Sequence, residues 1–405
     1  MSIQTPGART RPAAQSLSPT LVLVGLLMVA GNLRAGITTV GPVLDHVQHD
    51  LGLSDLTASV LVSLPLIAFA LVSPFAPGLG RRLGFERCLA LALGVLAVGL
   101  VVRSLPGLAL LWIGTGLLGV AIAVLNVVLP ALVKRDFPTR IGQVTGAYSA
   151  VQSIFAATAA GLAVPMSRLG SLGWRLPLGV WAGLALLAIG VMAPQLRRHT
   201  EAPASVDVTV QAPLSGGAPW RHALSWQMTG FMGLQSVAFY VLITWLPSIE
   251  QDAGVSAGSA GAHQFMLNAF AIAGALLCSR LLARARDQRL LATAYPMLFV
   301  IAVLGILTAP RLGAVWDSIA GLAGGGCIVL ALSFFGLRTT HHSQAASLSG
   351  MAQCVGYLLA AAGPVLVGAL HDAAGSWTPA LLAVLALQVV LVGFGYLAGR
   401  DRVLP

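Results

Sequence analysis

The apolar residues of this chain come in long blocks, such as 20–31, 56–79 and 88–102, and no other feature limits its fold as strongly. A hydrocarbon layer ~30 Å thick is crossed by a helix of ~20 mostly apolar residues. Blocks of this kind recur from one end of the chain to the other. Apolar residues make up 57% of the 405, and charged residues only 9%, against ~25% in a typical soluble domain. Such a chain cannot cover a water-exposed globule with polar surface. It reads as an all-α membrane protein, which excludes a soluble enzyme, a nucleic-acid binder and a secreted scaffold.

Apolar runs and helix breakers give twelve transmembrane helices. The first six fall at 19–46, 54–78, 86–104, 106–133, 139–166 and 174–196. The second six fall at 221–249, 258–283, 289–308, 312–337, 343–370 and 377–399. Ser18 before Pro19 is an N-cap with proline at the first helical position, and Leu105-Pro106-Gly107 breaks the third span from the fourth. The expected domains are a cytoplasmic N-terminal tail (1–18), a six-helix bundle (19–196), a cytoplasmic linker (197–220), a second six-helix bundle (221–399) and a cytoplasmic tail (400–405). The linker is polar and rich in Ala, Pro, Ser and Gly. No small-residue cleavage site follows the first apolar block, so that block is expected to stay as a helix.

Charge placement tests the layout. The net charge of +10 comes from 23 Lys and Arg against 13 Asp and Glu. With both termini on one side, 18 of the 23 basic residues share that side, four (Arg103, Arg168, Arg175 and Arg311) lie opposite, and Arg34 is inside a helix. The positive-inside rule then puts both termini in the cytoplasm and the protein in the plasma (inner) membrane.

The two halves also match at an offset of 202. Asp50, Gly52 and Ser54 fall on Asp252, Gly254 and Ser256; Gly31 falls on Gly233; Ala160-Gly161 falls on Ala362-Gly363. Several matches at one offset point to duplicated, pseudo-symmetric six-helix halves. Parallel six-helix repeats with a site between them at mid-membrane define the major facilitator fold. The loop Leu79-Gly80-Arg81-Arg82-Leu83-Gly84 sits where that superfamily has a Gly/Arg-rich loop, although it lacks the aspartate of the full pattern.

Arg34 is the residue that points to function. A charge at the centre of a spanning helix costs at least ~2.5–3.5 kcal/mol and therefore faces a cavity or a partner. The acids, including Asp45, Glu250 and Asp317, all map to loops or helix ends, which leaves no carboxylate at Arg34's depth. The guanidinium is then the main electrostatic contact for an anion or electron-rich group, through forked hydrogen bonds. The competing assignment has Arg34 bracing carbonyls or reaching Asp45 through water.

Other polar side chains fall at helical spacings. Arg34 and Thr38 share a stripe, while Asn32 is ~200° away from Arg34 on a regular helix; Gly31 and Gly36 would have to loosen the turn for both to enter a cavity. Tyr148 with Gln152, and Gln353 with Tyr357, are i,i+4 pairs. Ser236 with Tyr240 is another, beside Gln235. Asn126 and Asn268 stand in the fourth and eighth spans. Each of these is a candidate for lining a site, and each is equally a candidate for joining helices at ~0.6 kcal/mol.

The rest of the chain offers little chemistry. Cys88, Cys278, Cys327 and Cys354 are far apart and form no ligand cluster, so neither a disulfide nor a metal site is expected. His46 and His49 read as a solvated helix end, His341 and His342 as loop residues, and His263 as a titratable candidate near the end of the eighth span. With no intramembrane acid, any coupled proton would have to ride on a histidine or on the substrate. Pro65, Pro74, Pro130, Pro165 and Pro364 are expected to interrupt helices, and Gly324-Gly325-Gly326 to allow movement or close packing. The expected partners are a small anionic or polar molecule and the lipid bilayer; no cofactor, metal, catalytic residue or nucleic acid is expected, and the state is a monomer.

Three motifs carry a family resemblance. Gly31 to Thr38 (GNLRAGIT) with Val40-Gly41-Pro42 resembles the first helix of the cyanate and 2-nitroimidazole transporter family within the major facilitators. So do Gly233-Leu234-Gln235-Ser236 through Tyr240 to Trp245-Leu246-Pro247, and Leu348 to Gln353 continuing through Tyr357 and Gly363-Pro364 to His371-Asp372. The resemblance implies a secondary transporter of a small polar or anionic solute, such as cyanate or a small carboxylate, working by alternating access. A neutral heterocycle such as a nitroimidazole, a drug exporter, and a solute sensor that does not transport are the alternatives.

Overall fold

The computed structural model describes residues 18–53, 55–197 and 219–404. The expected N-terminal tail, apart from Ser18, and residues 198–218 of the expected linker lie outside the described residues.

Among the described residues, eleven helices are long and apolar enough to cross a membrane, and a bent pair makes a twelfth span. The first half holds α1 (Pro19–Asn32), α2 (Asp55–Val72), α3 (Phe85–Val102), α4 (Leu108–Asp136), α5 (Ile141–Ser167) and α6 (Trp181–Met192). The second holds α7 (Ala223–Asp252), α8 (Ala257–Leu282), α9 (Arg289–Thr308), α10 (Gly313–Leu337), α11 (His342–Ala374) and α12 (Thr378–Ala398). Alternate helices run in opposite directions, so Pro19, Ala223 and Ala398 share one face of the bundle. At this terminal face Gln195 donates to the Leu21 carbonyl at 3.1 Å and Arg400 to Gln227 at 3.1 Å. The opposite, distal face carries the Gly52, Gly107 and Gly254 turns.

Ser18 caps α1 as its sequence suggests, its hydroxyl accepting from the Leu21 amide at 3.2 Å. Two breaks shape the first half. α1 ends at Asn32, and after Leu33 the chain resumes as Ala35–Thr38 and a 3-10 turn at Gly41–Val43. α2 meets Ala76–Leu83 at a bend of 63°, where Pro74 removes a backbone donor and Ser73 turns its hydroxyl back to the Phe69 carbonyl at 2.6 Å. Of the five prolines expected to interrupt helices only Pro74 does. Pro65, Pro130, Pro165 and Pro364 sit inside continuous helices, where packed neighbours hold the ladder around the missing bond.

The duplication is visible in three dimensions. Gly52 and Gly254, 202 residues apart, both adopt positive φ (63° and 88°). Trp174 Nε1 donates to Asp50 at 3.0 Å, and Trp377 Nε1 donates to Asp252 at 2.7 Å. The same latch thus ties the distal ends of each half.

Small residues let helices of the second half approach closely. A Cβ on Gly321, Gly325 or Gly274 would meet the backbone of the facing helix of the α8–α10 pair. Gly325 is therefore a packing residue, and a Cβ on Gly326 would run into the Tyr295 ring.

The halves meet on the terminal side. Ser279 on α8 donates to the Gly142 carbonyl on α5 at 2.9 Å, and a Cβ on Gly142 would lie 2.7 Å from Leu282. A Cβ on Gly350 of α11 would lie 2.8 Å from the Ser73 carbonyl. Phe85 of α3 meets His342 edge-on at 5.4 Å. Below this seam Arg135 bonds Glu86 at 2.6 Å and Asp136 at 2.8 Å.

Candidate functional site

The break in α1 decides what the cavity sees. Arg34 leaves helical geometry (φ −127°, ψ −28°), so the ~200° that separates it from Asn32 on a regular helix no longer applies. Even so, only Arg34 enters the space between the halves. Asn32 is buried and donates to the Met28 carbonyl at 2.9 Å and to Leu184 at 3.4 Å, both within the first half. The loosened turn exists, but it delivers one polar side chain.

Arg34 lines a cavity with Ser149, Gln152 and Ser153 of α5 on one side. Facing them are Gln235, Ser236, Phe239 and Tyr240 of α7, Asn268 of α8, and Tyr357 of α11. The floor includes Gly324 and Gly325 of α10. At 1.5 Å per residue Gln152, Gln235, Tyr240 and Asn268 lie roughly 15–25 Å from either end of their helices, near the middle of the bundle.

The guanidinium has no hydrogen bond or ion pair among the described residues. The Asp45 carboxylate lies outside what is described. The Arg34 guanidinium carbon is 5.2 Å from the Phe239 ring centroid, within cation–π range, and its charge reaches Tyr240 and Tyr357. A fixed cation among hydroxyls, amides and aromatic faces can receive an anion or an electron-rich ring, because nothing in the described protein occupies its donors.

The eleven sequence-derived candidates divide by position. Arg34, Gln152, Gln235, Tyr240, Asn268 and Tyr357 line the cavity. The others lie elsewhere. Asn32 braces α6, and Thr38 donates to Ala156 at 3.0 Å and to Arg34's own carbonyl at 3.1 Å. Tyr148 is buried in the core. Gln353 is buried and donates to Ser349 at 2.7 Å and to the Asn126 carbonyl at 3.0 Å, so this pair joins the halves. Ser153 and Phe239 also line the cavity and are not among the eleven. The i, i+3, i+4, i+7 stripe of Ser149, Gln152, Ser153 and Ala156 was the available signal for the first; an apolar ring in an apolar helix gives none.

Glu250 and Asp317 lie near helix ends, as expected, yet packed neighbours enclose both. Glu250 and Asp317 are each only 1% exposed. α7 runs on to Asp252 and α10 begins at Gly313, so residues that look terminal in an apolar-run count are enclosed by packed helices. Arg103, expected at the distal end of the third span, is buried with Nη2 donating to the Leu178 carbonyl at 3.0 Å.

Twelve spans in two related halves around a central cavity are the architecture of a membrane transporter. The sequence profile of the Major Facilitator Superfamily matches residues 26–364, and the chain belongs to that superfamily of secondary transporters. It is 38% identical over 382 residues to the 2-nitroimidazole transporter of Escherichia coli (strain K12), covering 94% of this chain and 96% of that one. It is 29% identical over 385 residues to the cyanate transport protein CynX of the same organism, covering 92% and 96%. The transporter FucP, solved in the outward conformation, superposes with a TM-score of 0.75 at 13% identity, covering 94% of this chain and 98% of that one.

Proposed function

We propose that this transporter carries a small anionic or electron-rich polar solute by alternating access, with Arg34 as its main electrostatic contact. One observation carries the reading: a mid-bundle guanidinium lines the cavity between the halves and is bonded to no carboxylate among the described residues. A half-buried charge at mid-bundle without a mate is costly, and a negative guest relieves that cost. Gln152, Gln235 and Asn268 supply further hydrogen bonds. The solutes of the relatives, cyanate and 2-nitroimidazole, both fit this chemistry.

Phe239, Tyr240 and Tyr357 favour a second reading in which the guest is a flat neutral heterocycle held between rings. On the basic-residue count the terminal face is cytoplasmic, so a seam closed there corresponds to an outward-facing state, and both chain ends and the linker lie inside the cell.

A thermal-shift screen of detergent-purified protein separates the two readings, since a ligand stabilises the state it binds, by ~2.7 kcal/mol at a hundred times its Kd. Stabilisation by cyanate and small carboxylates supports the anion; stabilisation by 2-nitroimidazole alone supports the heterocycle. No shift with either class contradicts the assignment.

A further inference from the structure

The geometry points to a second buried site, a proton-binding cluster formed by Glu250, His263 and Asp317 in the distal part of the second half. Glu250 of α7 and Asp317 of α10 are each 1% exposed. His263 Nδ1 of α8 lies 3.0 Å from Glu250 Oε2 and 3.1 Å from Oε1. Asp317 is within electrostatic reach of Glu250, yet among the described residues neither of its own oxygens has a hydrogen-bond partner. Gly313, one turn before Asp317, makes the convergence possible: a Cβ there would run into Glu250 and lie 2.6 Å from His263 Nδ1.

An ionised carboxylate buried without partners is prohibitively costly, and it neutralises instead. Glu250 has His263 Nδ1 as its hydrogen-bond partner, and Asp317 is left without one among the described residues. Asp317 therefore holds a proton in this state. When water reaches it, that proton leaves to the solvent and the cluster gains one negative charge.

The neighbouring elements do not supply a substitute charge. The other titratable groups at the distal ends of the packed helices and turns are Arg168, Asp252, Arg311 and Asp372, all exposed, and half-buried His371. No metal-binding group of three such side chains is found among the described residues. The site is also private to one half: at the 202-residue offset Glu250, His263 and Asp317 fall on Gln48, Leu61 and Thr115. A polar thread runs inward from it along α8. Gln264 follows His263, and Asn268 Nδ2, in the central cavity, donates to the Gln264 carbonyl at 2.9 Å. On the transport reading above, on which this step rests, the cluster is where a driving proton boards and leaves as the distal face opens and closes.

Infrared spectroscopy of the full chain in lipid bilayers tests the site without any substrate. The expected result is a protonated-carboxyl C=O band that shifts in D2O, fades as the pH is raised from mildly acidic to mildly alkaline, moves in His263→Gln and is lost in Asp317→Asn. The native protein's D2O shift and titration stand even if a variant misfolds. No such band, one unchanged by Asp317→Asn, or one that does not respond to pH overturns the proposal. A band that responds to sodium chloride but not to potassium chloride at equal ionic strength also overturns it, in favour of a sodium site. Failure here leaves the Arg34 reading standing, because that reading is measured on substrate.

Discussion

The guanidinium of Arg34, on the broken first span, stands 5.2 Å from the ring centroid of Phe239 on α7. These two residues belong to different halves, so the contact crosses the plane along which a major facilitator divides. A cation–π contact of ~0.5–2 kcal/mol is a weaker hold than a buried ion pair, and it leaves the forked N–H edge for a guest. Rocking one half against the other also changes this pair directly.

Arg34→Lys should retain charge but lose the two-pronged geometry. The expected outcome is a rise in apparent Kd of at least tenfold for a small carboxylate or cyanate, measured by thermal shift, with melting of the unliganded protein unchanged.

The cavity-lining and bracing candidates should separate. Tyr240→Phe, Gln152→Ala and Asn268→Ala are expected to change ligand affinity with little effect on stability. Gln353→Ala strands the Asn126 carbonyl at the seam, and an unsatisfied buried group costs ~1–3 kcal/mol. It should lower the melting temperature more than it changes affinity.

Gly142→Val tests the terminal seam. The Cβ of residue 142 would sit 2.7 Å from Leu282, and overpacking of ~1–3 kcal/mol moves the conformational equilibrium by 5–150-fold. Distance measurements between labels on the two halves should show the terminal face opening. An unchanged distance distribution would mean that this contact does not hold the seam.

The paired latches give an additivity test. Trp174→Phe and Trp377→Phe each remove one hydrogen bond, to Asp50 and Asp252, at ~0.5–1.5 kcal/mol. Because they lie in separate halves their effects on stability should add, and the double variant read in the same melting assay checks this.

Hydrophobic blocks made the twelve spans legible, and the offset of 202 made the repeat legible, down to the left-handed glycines at 52 and 254. Arg34 stood out because charge is rare at that depth. Side-chain direction was not legible in the same way. Asn32 and Tyr148 look as polar as Gln152, but what they face depends on how α6 and the core pack. Glu250 and Asp317 were hidden by the same limit. Counting apolar residues ends the seventh span before Glu250 and puts Asp317 at the start of the tenth, but it does not show that neighbouring helices close over both acids.

Uptake of cyanate and of 2-nitroimidazole into proteoliposomes, compared between the native protein and Arg34→Ala, tests the central claim most directly. The account predicts that the variant reconstitutes and melts like the native protein while uptake of the transported probe falls to the protein-free level. Near-native uptake by Arg34→Ala would contradict it and make the residue structural.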